Sequence, residues 1–320
     1  MDERFLKSAK VVVEKCLAVK SSETVVVLTD QPEREIGKLL FEMAKEHSAE
    51  AILVEIIPRE THGEELPLQI AAIMQSANVV IAPTFRSITH TQARRDACSA
   101  GARIATMPGI LWETFVRALV VDYSQMQSQT EALAEILSKA KMARVKTDTG
   151  TDIVMSLDGR KGYADTGLLH NPGDFGNLPA GEAFIAPIEN TASGAIVIDG
   201  AIGDTGVLSS DDKITVRVEN GFATEITGGR AAVYLVGVLS QFPREVRNIA
   251  ELGIGTNPSA RLCGNILEDE KVLGTIHIAL GNNASMGGKV NVPVHLDGII
   301  LSPTLWLDGK MVMEHGKLKL

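Results

Sequence analysis

The alternation of apolar and polar positions changes period near the middle of the chain. In the first 142 residues, β-branched runs alternate with stretches of helical period. Residues 3–19 place Phe5, Ala9, Val12, Val13 and Cys16 on one face, which predicts an opening amphipathic helix. TVVVLTD at 24–30 has the unbroken apolar character of a strand covered on both faces. A helix over about 33–46 follows, with Ile36, Leu39, Leu40 and Met43 inward. The unit repeats as a strand at 50–57, a helix in LPLQIAAIMQSA, a strand at 78–83, a helix ended by Gly101 and a strand in ARIATMPG. Alternating strands and helices with short connections predict a parallel sheet covered on both faces, a Rossmann-like α/β domain over residues 1–142.

A long helix over 123–142 closes this half. Beyond it, DIVMSLDGR, EAFIAPI, GAIVIDG, KITVRVENG and FATEITGG are short runs separated by Gly, Asn and Asp. They predict a mostly antiparallel β domain over residues 143–320, barrel-like or strongly curved, interrupted by one helix near 230–240. The first strand-to-helix turn reads TDQPERE and lacks the glycines that let a backbone approach a pyrophosphate. The α/β half is therefore expected to serve as scaffold and dimer contact rather than as a dinucleotide site.

Charge narrows the partners. Across 320 residues, 31 Lys and Arg stand against 40 Asp and Glu, a net charge of -9. That removes the electrostatic case for nucleic acid or anionic membranes. No apolar run approaches the ~18 residues of a membrane span, and none follows the charged N-terminus. Cys16, Cys98 and Cys263 are odd in number and far apart, which signals neither a disulfide framework nor a zinc knuckle. The expectation is a cytoplasmic enzyme in a reducing compartment.

Candidate chemistry concentrates between Gly274 and Ser302. Strand alternation sets His277 apart from Ile276, Ile278 and Leu280, and puts His295 and Asp297 together on one face. Two imidazoles and a carboxylate on neighbouring strands suit a divalent metal. Asp297-Gly298 also reads as a hairpin turn, a pair the chain uses again at Asp158-Gly159, Asp199-Gly200 and Asp308-Gly309. Glu182 and Glu251 sit among apolar residues, where a carboxylate costs several kcal/mol unless it is paired, protonated or bound to a cation. His170, in the loop LLHNPGDFGNLPAGE, is a candidate substrate contact. There is no Gly-x-Ser-x-Gly elbow and no cysteine beside a histidine, which leaves a nucleophilic hydrolase little support.

The segments NLPAGEAFIAP, AELGIGTN, GTIHIALG and VHLDGIILSPTLWLDG, in that order, resemble the signature segments of metal-dependent aminopeptidases of the aminopeptidase T and S type. The resemblance implies two divalent ions, zinc, cobalt or manganese, on Glu182, Glu251, His277, His295 and Asp297. It gives Glu182 and Glu251 a part in catalysis and implies a homodimer that encloses its sites and trims short peptides from the N-terminus. One departure is plain: the family's catalytic tyrosine, shortly after the first histidine, is missing from GNNASM at 281–286, where Asn282 and Asn283 are candidates for its place. The chain also resembles the 2,5-dihydroxypyridine dioxygenases of the same superfamily, which implies, as the alternative, one ferrous ion on His277, His295 and Asp297. An inactive, metal-stabilised scaffold is the third reading. The sequence favours the aminopeptidase.

Overall fold

The computed structural model describes residues 2–319. The chain divides into two compact units, Met1–Tyr123 with Gly167–Ala180 and Ser124–Thr166 with Gly181–Leu320. The sequence boundary at 142–143 thus meets a discontinuous division. The helix Tyr123–Lys139 lies almost wholly in the second unit, while 167–180 returns to the first and adds the short strand Phe175–Asn177 beside Arg103–Thr106. That return rests on strand pairing between distant segments, which local periodicity does not register.

The first unit holds a five-stranded sheet in the order Glu50–Ile56, Thr24–Asp30, Val79–Ala82, Arg103–Thr106, Phe175–Asn177, with every pair parallel. Val25 to Leu28 are buried, as the β-branched run requires. The helix Arg34–His47 buries Ile36, Leu39, Leu40 and Met43 at the expected spacing. The opening helix is regular only over Glu3–Lys10 and continues as a π-helical turn, Val11–Cys16. Strand order reverses beside Thr24–Asp30, where a doubly wound sheet offers its ligand crevice. Here the Asp30 carboxylate accepts from the backbone N–H of Phe85 at 2.8 Å and of Glu33 at 3.4 Å, so the chain's own anion takes up these amides.

The second unit is built on two antiparallel sheets. The larger runs Phe222–Gly228, Ile214–Glu219, Ser193–Ile198, Asp152–Ser156, Met142–Lys146, Thr304–Leu307, Lys310–Glu314, Lys317–Leu318. The smaller runs His295–Ile300, Ile276–Gly281, Ile249–Gly255, Glu182–Ile185, Gly162–Asp165. One face of each enters a shared core, Ile153, Met155, Ile196, Val216 and Leu305 meeting Ile185, Leu252, Ile254, Ile278 and Ile300. The sheets join at a seam where the Ile299 N–H donates to the Ala201 carbonyl at 2.9 Å and the Ile299 carbonyl accepts from Gly200 at 3.0 Å. A pair of facing sheets thus stands in place of the expected barrel. Because side chains alternate, the smaller sheet has a second face that the core does not use, and the candidate site is built there.

Candidate metal centre

Register places the polar side chains of five strands on that one face. Gly253 lies opposite both His277 and Phe184, and Phe184 opposite Tyr163. Ala279 lies opposite both Glu251 and Asp297. Gly255 lies opposite Glu182, which in turn faces Asp165. Glu182, Glu251, His277, His295 and Asp297 therefore converge from four strands while Ile276, Ile278 and Leu252 hold those strands to the core.

The two glycines of AELGIG make the convergence possible. A Cβ at Gly253 would stand 1.9 Å from His277 Nε2, so the imidazole lies across that residue. A Cβ at Gly255 would stand 2.1 Å from the Val272 carbonyl oxygen, so the 271–272 backbone crosses there. That crossing brings in Lys271, a member of the site that sequence reading missed. Its buried Nζ donates to Glu182 Oε1 and to Glu270 Oε1, each at 2.6 Å, with Asp165 Oδ2 at 3.7 Å. The signal was the run Glu268-Asp269-Glu270-Lys271 just before the His277 strand, a pattern that ordinarily marks a solvated turn. All four are buried.

His277 Nε2 is 3.2 Å from Glu182 Oε2 and 3.3 Å from Glu251 Oε1. His295 Nε2 is 3.2 Å from Glu251 Oε2 and 3.4 Å from Asp297 Oδ1. Glu251 thus meets one histidine with each oxygen. Ligand atoms lying within 4.8 Å of one another form two groups, Glu182/Glu251/His277 and Glu251/His295/Asp297, which share Glu251. The trio His277, His295 and Asp297 does not form such a group among the described residues. Only His295 of the five is half-buried; the others are buried.

The cluster fits a cation. Glu182 Oε2 and Asp297 Oδ1 are buried and, despite their short distances to the imidazoles, have no hydrogen-bond geometry with any partner among the described residues. Unsatisfied buried acceptors are costly, and an ion between the donors would satisfy both. A nitrogen-and-carboxylate donor set suits first-row divalent metals. His295 Nδ1–H donates to the Asn282 carbonyl at 2.8 Å, which fixes the tautomer and turns Nε2 toward the carboxylates.

Electrostatics agree. Burial alone would push both imidazoles down. For His277 the carboxylates Glu182 and Glu251 outweigh burial, and for His295 Asp297 and Glu251 do, so both are held well above the ordinary histidine value. Burial pushes the Glu182 carboxyl up, but Lys271 and His277 bring it below its ordinary value. Glu251 is likewise lowered against burial, by His277 and His295. Burial drives Glu270 up to about 8 against the pull of Lys271.

Asn282 and Asn283 are committed to their own loop. The Asn282 side chain donates to the Val292 carbonyl at 2.7 Å. Asn283 is fully buried, donates to Glu189 Oε1 at 3.0 Å and accepts from the Val290 N–H at 2.9 Å. Neither side chain stands in for the missing phenol. His170 is not part of the cluster: it belongs to the first unit, where its Nε2 donates to the Lys15 carbonyl at 2.8 Å.

Fold and cluster together define an enzyme with a candidate metal centre on a two-unit α/β and β architecture, and solved structures share that architecture. The structure of 2,5-dihydroxypyridine dioxygenase from Pseudomonas putida KT2440 superimposes with a TM-score of 0.83 at 23% identity, over 98% of this chain and 96% of that one. Wild-type AmpT from Thermus thermophilus gives 0.72 at 17% identity, over 99% of both chains. The family model of 2,5-dihydroxypyridine 5,6-dioxygenase (NicX) matches residues 4–320, and the chain belongs to that family. A curated relative, the 2,5-dihydroxypyridine 5,6-dioxygenase of Pseudomonas putida strain KT2440, is 29% identical over 198 residues, 58% of this chain and 56% of that protein. The match therefore spans little more than half the length of that relative.

These findings overturn the aminopeptidase expectation. The family that covers nearly the whole chain is a dioxygenase family, and the likeness to AmpT is one of fold. Hydrolase and protease activity fall with it. The motifs misled because both kinds of protein share one fold, and a fold does not specify the reaction.

Proposed function

We infer that this protein is a ring-cleaving dioxygenase acting on 2,5-dihydroxypyridine or a closely related hydroxylated ring, with one ferrous ion held among Glu182, Glu251, His277, His295 and Asp297. The observation that carries the reading is the family match over residues 4–320, joined to a buried cluster in which Glu182 Oε2 and Asp297 Oδ1 lack hydrogen-bond partners among the described residues. A bound ferrous ion supplies the redox chemistry that brings dioxygen and the ring together. The chain's own residues do the rest. Glu251, common to both donor groups, is the central ligand. The Asn282 carbonyl orients His295, and Lys271 ties back one oxygen of Glu182 so that the other faces His277. His295 is the half-buried member of the five. The net reaction joins one ring to one O2 and puts both oxygen atoms into the opened product, so it needs no external reductant.

The test is consumption of oxygen and ring in equal amounts. Ferrous protein supplied with 2,5-dihydroxypyridine is expected to take up one O2 per ring and to lose activity on chelation. Absence of uptake with a panel of hydroxylated pyridines and phenols, by protein shown to contain iron, would sink the reading.

A further inference from the structure

Phe184 has no place in the core. Its neighbours Ala183 and Ile185 are fully buried there, while Phe184 points to the opposite face and stays half-buried. That face also carries the five candidate ligands, together with Gly253, Ala279, Ile299 and Tyr163. Along its strand Phe184 is two residues from Glu182. Across the sheet it is opposite Gly253, over which the His277 ring lies. It is a diagonal neighbour of Glu251, a relation in which side chains start about 7–8 Å apart and aromatic groups reach one another. Its ring stacks on Tyr163, with centroids 5.5 Å apart and an interplanar angle of 19°, and Lys161 Nζ sits over the Tyr163 ring at 5.1 Å.

Folding gives this residue only the cross-strand stack on Tyr163 as a reason. Beyond that stack, a half-exposed phenyl gains little from burial. A ligand ring gives a further reason, because planar rings stack in offset geometry and a phenyl already braced by Tyr163 loses little freedom on receiving another. We propose that Phe184 is the platform on which the substrate's aromatic ring stacks, its hydroxylated edge turned toward Glu251 and its face over the phenyl. The ligand class is a planar hydroxylated heteroaromatic ring. The inference rests on the dioxygenase reading and names the residue that selects a flat ring over a saturated or extended molecule of similar polarity.

Binding without turnover tests it. Full-length protein loaded with zinc, which does not activate oxygen, is titrated with 2,5-dihydroxypyridine and followed by difference absorbance, with metal content measured on the same samples. Phe184→Leu is expected to weaken ring binding about three- to tenfold, the scale of one stacking contact, with metal content unchanged. Phe184→Tyr is expected to stay within about twofold of wild type, as stacking requires. Unchanged binding by Phe184→Leu overturns the proposal. So does loss of its metal, which would make Phe184 a prop for Glu182. If the wild-type protein, metal in place, binds no ring at all, the substrate reading fails and the platform with it, whereas wild-type binding that Phe184→Leu leaves intact removes the platform alone.

Discussion

Gly253 lies directly opposite His277 on the neighbouring strand, and a Cβ at Gly253 would stand 1.9 Å from the His277 Nε2. Real Cβ atoms do not come so close, so the ring and the glycine are a matched pair. Gly253→Ala is expected to push the imidazole off its position between Glu182 and Glu251 and to lower metal affinity by at least the ~10–100-fold seen when a ligand loses its orientation. Elemental analysis after loading and desalting checks this, and wild-type metal content in Gly253→Ala would refute it.

Metal binding is expected to tighten as pH rises. His277 and His295 are held above the ordinary histidine value by their carboxylate neighbours, so the metal-free cluster holds protons on its imidazoles more tightly than free histidine does. Coordination needs neutral imidazole, and an ion must displace those protons. Affinity is therefore lowest in acid, rises with pH and levels off only above the raised histidine values. Calorimetric titration with zinc in buffers of different ionisation enthalpy counts the protons released; a count of zero would contradict the electrostatics.

Lys271 is buried among Glu182, Glu270 and Asp165. Removing one partner of a buried ion pair typically costs about 3–5 kcal/mol, because the other charge is left without compensation. Lys271→Met is expected to lose stability on that scale when metal-free, read from the denaturant midpoint. Added metal is expected to restore part of the loss through Glu182. A midpoint equal to that of wild type would show that the lysine is not needed to hold the carboxylates.

We propose a homodimer, as the sequence resemblance implies. Light scattering at micromolar concentration should give about twice 34.2 kDa, and a monodisperse species at the chain mass would exclude it.

No described helix is long and apolar enough to cross a membrane, in line with the absence of a long apolar run in the sequence.

Local pattern determined much of this protein. The β-branched runs near the N-terminus could be satisfied only by strands covered on both faces, and the two-residue alternation in GTIHIALG and VHLDG set His277 apart from Ile276 and Ile278 and put His295 and Asp297 on one face. The five candidate ligands were legible because charged or imidazole side chains in apolar strands are expensive unless something receives them. Tertiary structure decided what alternation leaves open. Register set Gly253 under His277 and Gly255 under the 271–272 backbone, and so turned an apparently solvated Glu-Asp-Glu-Lys run into the buried partner of Glu182. The return of residues 167–180 to the parallel sheet and the pairing of two facing sheets instead of a closed barrel depend on contacts between segments far apart in sequence. The reaction was the least legible part, because neither a fold nor a donor set specifies it. The stacked pair of Phe184 and Tyr163 is likewise brought together only when the strands pair.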